Sequence, residues 1–269
     1  MLINGQPGTL LSAQDRGLAY GDGIYRTLEV KAGHPLLWRW HWQRLAADCL
    51  ALRLPCPEEA LLLQEIGQVC ADLPRAVVKV MLTRGEGPRG YAMPEVMHPT
   101  RIVSAAPWGG YPPERAEEGV CVRWCLTPLA IQPRLAGIKH LNRLENVLAR
   151  SEWSDPGVAE GLMCDTEGSV VEGTMTNLFM VRSGVLITPV LDRCGVSGAL
   201  RAWLMEAAAS LGLSVREIRL SRECLLQADE VFIGNSLAGL WPVTRLDERA
   251  WPVGALTRRL QACLALERG

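Results

Sequence analysis

Apolar and polar positions change their spacing several times along the chain, and each change marks an element. Leu2-Ile-Asn-Gly-Gln-Pro reads as a short strand and turn. Residues 25–31 and 36–40 read as two strands joined by a hairpin loop, Ala32-Gly-His-Pro. From 42 to about 52 the spacing turns helical, with Leu45, Cys49 and Leu52 on one side, and a second helix covers about 58–73. Ala76-Val-Val-Lys-Val-Met-Leu-Thr is a strand, and 101–105 is another. Pro107-Trp-Gly-Gly-Tyr-Pro-Pro-Glu then breaks both periods, and its proline and glycine density marks a connector.

Beyond the connector, a strand at 120–125 precedes a segment around Lys139. The helix that follows carries Leu141, Leu144, Leu148 and Trp153 on nearly one side. Two hairpins come next, 161–165 with 169–172 and 177–181 with 185–188, each around a Gly-containing turn. An apolar helix at 198–211, strands at 215–219 and 230–233, and a helix at 256–266 complete the pattern. Strands with helices laid over them predict an α+β chain of two domains. A smaller N-terminal α/β domain spans 1–106, a connector spans 107–116, and a larger C-terminal α/β domain at 117–269 carries Lys139.

With 48% hydrophobic and 21% charged residues, the 269-residue chain has enough apolar side chains for a core. A net charge of −1 provides no global basic field, so neither nucleic acid nor an anionic membrane is expected as a partner. No apolar run reaches the length of a membrane span. Met1-Leu-Ile-Asn-Gly-Gln-Pro-Gly lacks the charged and apolar regions of a secretory signal. Nine cysteines, an odd number without a CxxC pair, read as reduced thiols, and a cytoplasmic location is expected. Cys121 and Cys125 share one face of a strand, but the four histidines add no ligand cluster beside them, so no metal is expected.

Lys139 stands in Gly137-Ile-Lys-His-Leu-Asn-Arg-Leu-Glu-Asn, just ahead of a helix, where a cation works against the helix dipole. A surface lysine near a helix start is the plain alternative. Glu172, in Glu172-Gly-Thr-Met-Thr-Asn177, ends a strand and alone reads as a turn carboxylate. Together they point to one chemistry. A lysine amine can hold an aldehyde cofactor as a Schiff base, and a carboxylate can keep that cofactor's ring nitrogen protonated. Gly195-Val196-Ser197-Gly198 opens a helix, where backbone N–H groups and a hydroxyl suit a phosphate; otherwise Ser197 is an N-cap. Gly234-Asn235-Ser236 follows a strand and either admits a ligand close to the backbone or is an ordinary loop. Arg44, in His41-Trp-Gln-Arg44-Leu, offers a guanidinium to a phosphate dianion or is a solvated helix arginine.

The order of these parts resembles that of the fold-type IV pyridoxal-phosphate enzymes, the class IV aminotransferases. The resemblance runs from Asp15-Arg-Gly-Leu-Ala-Tyr-Gly-Asp-Gly to Ala228-Asp-Glu-Val-Phe and Trp241-Pro-Val, nearly the whole chain. It implies a two-domain architecture like that of D-amino-acid aminotransferase, a pyridoxal 5'-phosphate cofactor and a homodimer. It also implies that Lys139 bears the cofactor and that Glu172 pairs with its ring nitrogen. Arg44, Val196, Ser197, Asn235 and Ser236 would then surround the phosphate, with Asn177 near the cofactor. Leu135-Ala-Gly-Ile-Lys-His-Leu-Asn-Arg-Leu-Glu and Thr83-Arg-Gly-Glu-Gly-Pro-Arg-Gly-Tyr91 are closest to one branch of the family. That branch cleaves 4-amino-4-deoxychorismate to 4-aminobenzoate and pyruvate for folate synthesis. In that branch Lys139 is also the proton-transfer base, Thr27 is a proton-donor candidate, and Arg26 and Arg89 are candidates for the substrate's two carboxylates. Arg143 stands about where branched-chain aminotransferases usually carry a tyrosine. Tyr25, in Gly-Asp-Gly-Ile-Tyr on the substrate side, is shared with D-amino-acid aminotransferases, which stay as the alternative reading. A non-catalytic ligand-binding relative is the third.

Overall fold

A computed structural model describes residues 1–268, which divide into two units. The first comprises residues 1–109 together with Ile138–Asn142, and the second comprises 110–137 and the chain from Arg143 onward.

In the first unit the elements are β1 (Leu2–Ile3), β2 (Gln6–Pro7), α1 (Arg16–Tyr20), β3 (Gly23–Lys31), β4 (His34–Pro35), α2 (Trp38–Leu52), α3 (Glu59–Val69), β5 (Arg75–Thr83) and β6 (Thr100–Pro107). The strands form one antiparallel sheet in the order β2-β1-β6-β5-β3-β4. Ile24, Leu28 and Val30 of β3 and Ala76, Val78, Val80 and Leu82 of β5 are buried in one cluster with Leu45 and Cys49 of α2 and Leu62 and Ile66 of α3. Each such Leu, Ile or Val contributes about 1.5–3 kcal/mol relative to exposure, so this face fixes the register. A one-residue slip would turn Tyr25, Thr27 and Lys79 from the opposite face into the core.

Two sequence expectations change here. Residues 36–40 are not a strand: only His34–Pro35 pairs, Leu37 takes the left-handed conformation (φ 55°), and Trp38 already opens α2. The helical period simply starts one turn earlier, because Trp38 and Trp42 pack on the same core as Leu45 and Cys49. The five residues around Lys139 belong to the first unit, not to the second. Ile138 is buried in the first unit's core, Tyr25 N–H donates to Lys139 O (3.0 Å), and Leu141 N–H donates to Gly23 O (3.0 Å).

The second unit contains α4 (Glu114–Glu117), β7 (Val120–Trp124), α5 (Leu144–Arg150), β8 (Val158–Cys164), β9 (Val170–Gly173), β10 (Asn177–Arg182), β11 (Val185–Pro189), α6 (Ala199–Ser210), β12 (Val215–Ile218), α7 (Arg222–Leu226), β13 (Glu230–Asn235), β14 (Gly239–Leu246), β15 (Arg249–Ala250) and α8 (Ala255–Glu267). Its sheet runs β12-β11-β10-β13-β14-β7-β8-β9, and β9 pairs back onto β10 through Glu172 and Asn177. Six strands thereby close a ring at that pair. Strand β14 is not among the elements expected from the sequence, and a proline is uncommon inside a ladder. Pro242 nevertheless sits opposite Phe232 in the ladder, and its neighbour Trp241 is buried in the core. The apolar stripe expected after Lys139 also breaks up: Trp153 is buried, whereas Leu144 and Leu148 are 69% and 51% exposed. Helix α6 starts at Ala199 with Gly198 as its N-cap, so Ser197 is not the cap. Among the described residues no helix is long and apolar enough to cross a membrane.

Candidate active site

Within the first unit, Lys139 has its main chain held on both sides. Its N–H donates to Asp48 Oδ2 (3.1 Å), and its carbonyl accepts from Tyr25. Its Nζ lies 4.5 Å from the centroid of the Tyr25 ring, and Lys79 Nζ lies 5.0 Å from the same centroid. Alternation along β3 puts Thr27 on the Tyr25 face, and the register sets Thr27 opposite Lys79. The sequence reading does not name Lys79, although the alternation of 76–83 already separates it from the core face.

Arg26 turns the other way. It is 2% exposed and forms an ion pair with Asp48. A guanidinium committed there does not bind a substrate carboxylate, so that expectation for Arg26 is corrected to a structural role beneath Lys139. Burial lifts the Asp48 carboxyl above the ordinary carboxylate value, against the pull of Arg26. Arg44 is half-buried on α2, one turn from both His41 and Asp48, and its charge acts on Arg26 and Asp48. Arg89 is exposed in the loop after β5. That loop is latched by Arg16, which donates to Gly90 O (3.0 Å) and Tyr91 O (3.3 Å), and by Gly90 N–H on Tyr20 Oη (3.2 Å). No hydrogen bond or ion pair among the described residues joins Arg89 to the Lys139 cluster.

His41 lies buried in the same unit, and neither ring nitrogen has a hydrogen-bond partner among the described residues. Burial, then the charges of Arg26 and Lys139, push its pKa from 6.5 to about 3. The unfolded chain therefore takes up this proton below pH 6.5 while the folded one does not, and stability is lost as the pH falls. The slope from this group approaches about 1.4 kcal/mol per pH unit. Between pH 6.5 and 5, His41→Leu is expected to lose less unfolding free energy than the parent, by about 1–2 kcal/mol. Denaturant titrations across that range test this; parallel curves would refute it.

Within the second unit, Glu172 is 3% exposed, and its Oε2 accepts from Val196 N–H (2.8 Å) and, at 3.5 Å, from Asn177 Nδ2. Asn177 Nδ2 also donates to Val196 O (2.7 Å), and its Oδ1 accepts from Gly198 N–H (3.2 Å). Ser197 is buried, and its N–H donates to Gly137 O (2.9 Å). The 195–198 turn needs its glycines. Gly195 has φ +83°, and a Cβ there would lie 2.7 Å from Val171, while a Cβ on Gly198 would collide with Asn177 Oδ1. The structure thus joins Glu172, Asn177, Val196 and Ser197 in one network at the closure of the strand ring. Asn235 makes a turn of its own, accepting from Leu237 N–H (2.9 Å) and Ala238 N–H (2.8 Å), with Ser236 inside it.

Glu160 is also absent from the sequence reading. It is fully buried and accepts four hydrogen bonds, one each from Gly161, Thr174, Met175 and Thr176. The hairpin register was the available signal. Continuing the pairs Met163↔Glu172 and Leu162↔Gly173 two residues further puts Glu160 opposite Met175.

Comparison with known proteins gives consistent matches. The family described as amino-transferase class IV matches residues 23–246. An aminodeoxychorismate lyase of Vibrio harveyi is 36% identical over 266 residues, covering 97% of this chain and 98% of that protein. A branched-chain-amino-acid aminotransferase of Escherichia coli is 30% identical over 261 residues, covering 91% and 83%. The crystal structure of 4-amino-4-deoxychorismate lyase from Pseudomonas aeruginosa superposes with a TM-score of 0.94 at 50% identity, covering 98% of this chain and 97% of that one.

Proposed function

The chain belongs to the amino-transferase class IV family, and on that premise we propose that it is a pyridoxal-phosphate enzyme that cleaves 4-amino-4-deoxychorismate to 4-aminobenzoate and pyruvate, a step of folate synthesis. The observation that carries this reading is near-full-length likeness to two proteins named as that lyase, both at higher identity than the aminotransferase.

The side chains suit pyridoxal 5'-phosphate. They include a lysine with a fixed backbone, a buried carboxylate held by backbone N–H, and the N-terminal turn of a 12-residue helix beside Ser197. When bound, the cofactor supplies an electron sink for a carbanion next to the substrate nitrogen. Lys139 Nζ would hold the cofactor, and its free amine would serve as the base for the proton on the carbon bearing the substrate nitrogen. Glu172 keeps a proton on the ring nitrogen. Arg44, Val196, Ser197, Asn235 and Ser236 hold the phosphate, and Asn177 fixes the Glu172 carboxylate. Thr27, on the Tyr25 face, would protonate the leaving group. Lys79 on that face takes the place expected of Arg26 beside Arg89 for the two substrate carboxylates. A D-amino-acid aminotransferase would use the same lysine, so the product decides between the two. The family resemblance supports a homodimer, for which the exposed apolar ridge Leu144, Val147 and Leu148 on α5 is a suitable surface. Reduced thiols fit a cytoplasmic location.

With 4-amino-4-deoxychorismate as substrate, 4-aminobenzoate and pyruvate are expected in equal amounts from a particle of twice the 29.5 kDa chain mass. Fast transamination of D-alanine with 2-oxoglutarate and no aromatic product would overturn the lyase assignment.

A further inference from the structure

The turn between Glu172 and Asn177 is bonded to Glu160 on one side and to Asn146 and Asn235 on the other. Three of its donors, the Thr174 and Thr176 hydroxyls and Met175 N–H, point at one side chain, whereas Thr174 N–H donates to Gly161 O (3.0 Å) and Gly173 N–H to Thr176 O (2.7 Å). Glu160 Oε1 accepts from Thr174 Oγ1 (2.6 Å) and Gly161 N–H (2.9 Å), and Oε2 accepts from Thr176 Oγ1 (3.0 Å) and Met175 N–H (3.1 Å). Two of its carbonyls tie it to other elements: Thr174 O receives Asn146 Nδ2 (3.0 Å) and Met175 O receives Asn235 Nδ2 (3.1 Å). Gly173 makes room for this arrangement, because a Cβ there would lie 2.9 Å from the Glu160 carboxyl carbon and collide with Thr176 Oγ1.

We propose that Glu160 is a positioning residue: its ionised carboxylate clamps the 174–176 turn and so fixes Glu172 and Asn177 at the turn's two ends, with Asn235 tied to the same turn. Each oxygen faces one backbone N–H, which can only donate, so both oxygens must accept, which a carboxylate does and an amide does not. A glutamine would set its NH2 against a donor, Met175 N–H or Gly161 N–H, and leave that group unsatisfied in a fully buried place. Burial raises the Glu160 carboxyl's pKa, and the four donors counter it. The consequence for the cofactor rests on the pyridoxal-phosphate reading above, whereas the clamp does not.

Two measurements on E160Q separate these. In the apoprotein, amide hydrogen exchange over 172–177 and at Val196 is expected to quicken by at least roughly tenfold, with exchange in α6 and α8 unchanged. Titration of the apoprotein with pyridoxal phosphate, followed by absorbance, is expected to give an affinity about tenfold weaker than the parent's. Thr174→Val removes one donor without touching the carboxylate, and is expected to shift both readouts the same way by less. Unchanged exchange in E160Q, or in Thr174→Val should E160Q not fold, would overturn the clamp. Faster exchange with unchanged affinity would overturn its role toward the cofactor residues. A parent protein that binds no pyridoxal phosphate would instead reject the pyridoxal-phosphate reading and leave the exchange result standing.

Discussion

Lys139→Ala and Lys139→Arg are both expected to lose turnover by roughly 10⁴-fold or more, because both remove a nucleophilic, titratable amine. The arginine variant carries the sharper argument. It keeps a cation next to the Tyr25 ring, an interaction worth about 0.5–1 kcal/mol at a part-exposed site. Its guanidinium cannot lose a proton in a protein, so it can neither hold an aldehyde nor act as a base. Both variants should fold, because Lys139 is anchored through its backbone and these bonds do not depend on the side chain. Borohydride treatment followed by peptide mapping should find a pyridoxyl group on the parent's Lys139 and none on either variant. Turnover within tenfold of the parent in Lys139→Arg would rule out the amine as base and cofactor holder.

What the sequence reveals, and what it leaves out, divides along physical lines. Period-2 patterns that bury one face, as in 76–83, identify β5, and its alternation already separates Lys79 from Val78 and Val80. Contiguous motifs identify Glu172, Asn177 and the 195–198 turn, because the strand end, the turn glycines and the following helix are all local. Three things resist. The start of α2 is hidden because Leu36-Leu-Trp-Arg-Trp satisfies a strand pattern until Leu37 adopts a positive φ. The strand β14 is hidden because Pro242 forbids a ladder donor but not a place in the ladder. Burial of charge is hidden altogether: Arg26, Asp48 and Glu160 look like surface residues in one dimension. Their partners lie 22, 91 and 14 residues away, for Arg26 with Asp48, Asp48 with Lys139, and Glu160 with Thr174. Separations of that kind follow from which strands and helices pair, which local spacing does not encode.

The second large effect is expected at Asp48. This carboxylate pairs with the buried Arg26 guanidinium and also accepts the backbone N–H of Lys139. Asp48→Ala leaves a guanidinium that is 2% exposed without its counter-ion, and breaking a buried pair in this way costs about 3–5 kcal/mol. A drop of that size in the unfolding free energy, measured by denaturant titration, would be a large part of the stability of an ordinary domain. It would not by itself tell a structural ion pair from a support for Lys139. The double variant Arg26→Met with Asp48→Leu does. Replacing both charges by apolar side chains of similar size restores most of the stability, because no buried charge is left unpaired. The Lys139 N–H has still lost its Asp48 acceptor, however, so the backbone that carries the amine is held less tightly, and kcat is expected to stay about 10–100-fold below the parent. If the double variant regains parental kcat along with stability, Asp48 serves the fold alone. If stability returns and kcat does not, the buried pair on α2 and β3 sets the position from which Lys139 works.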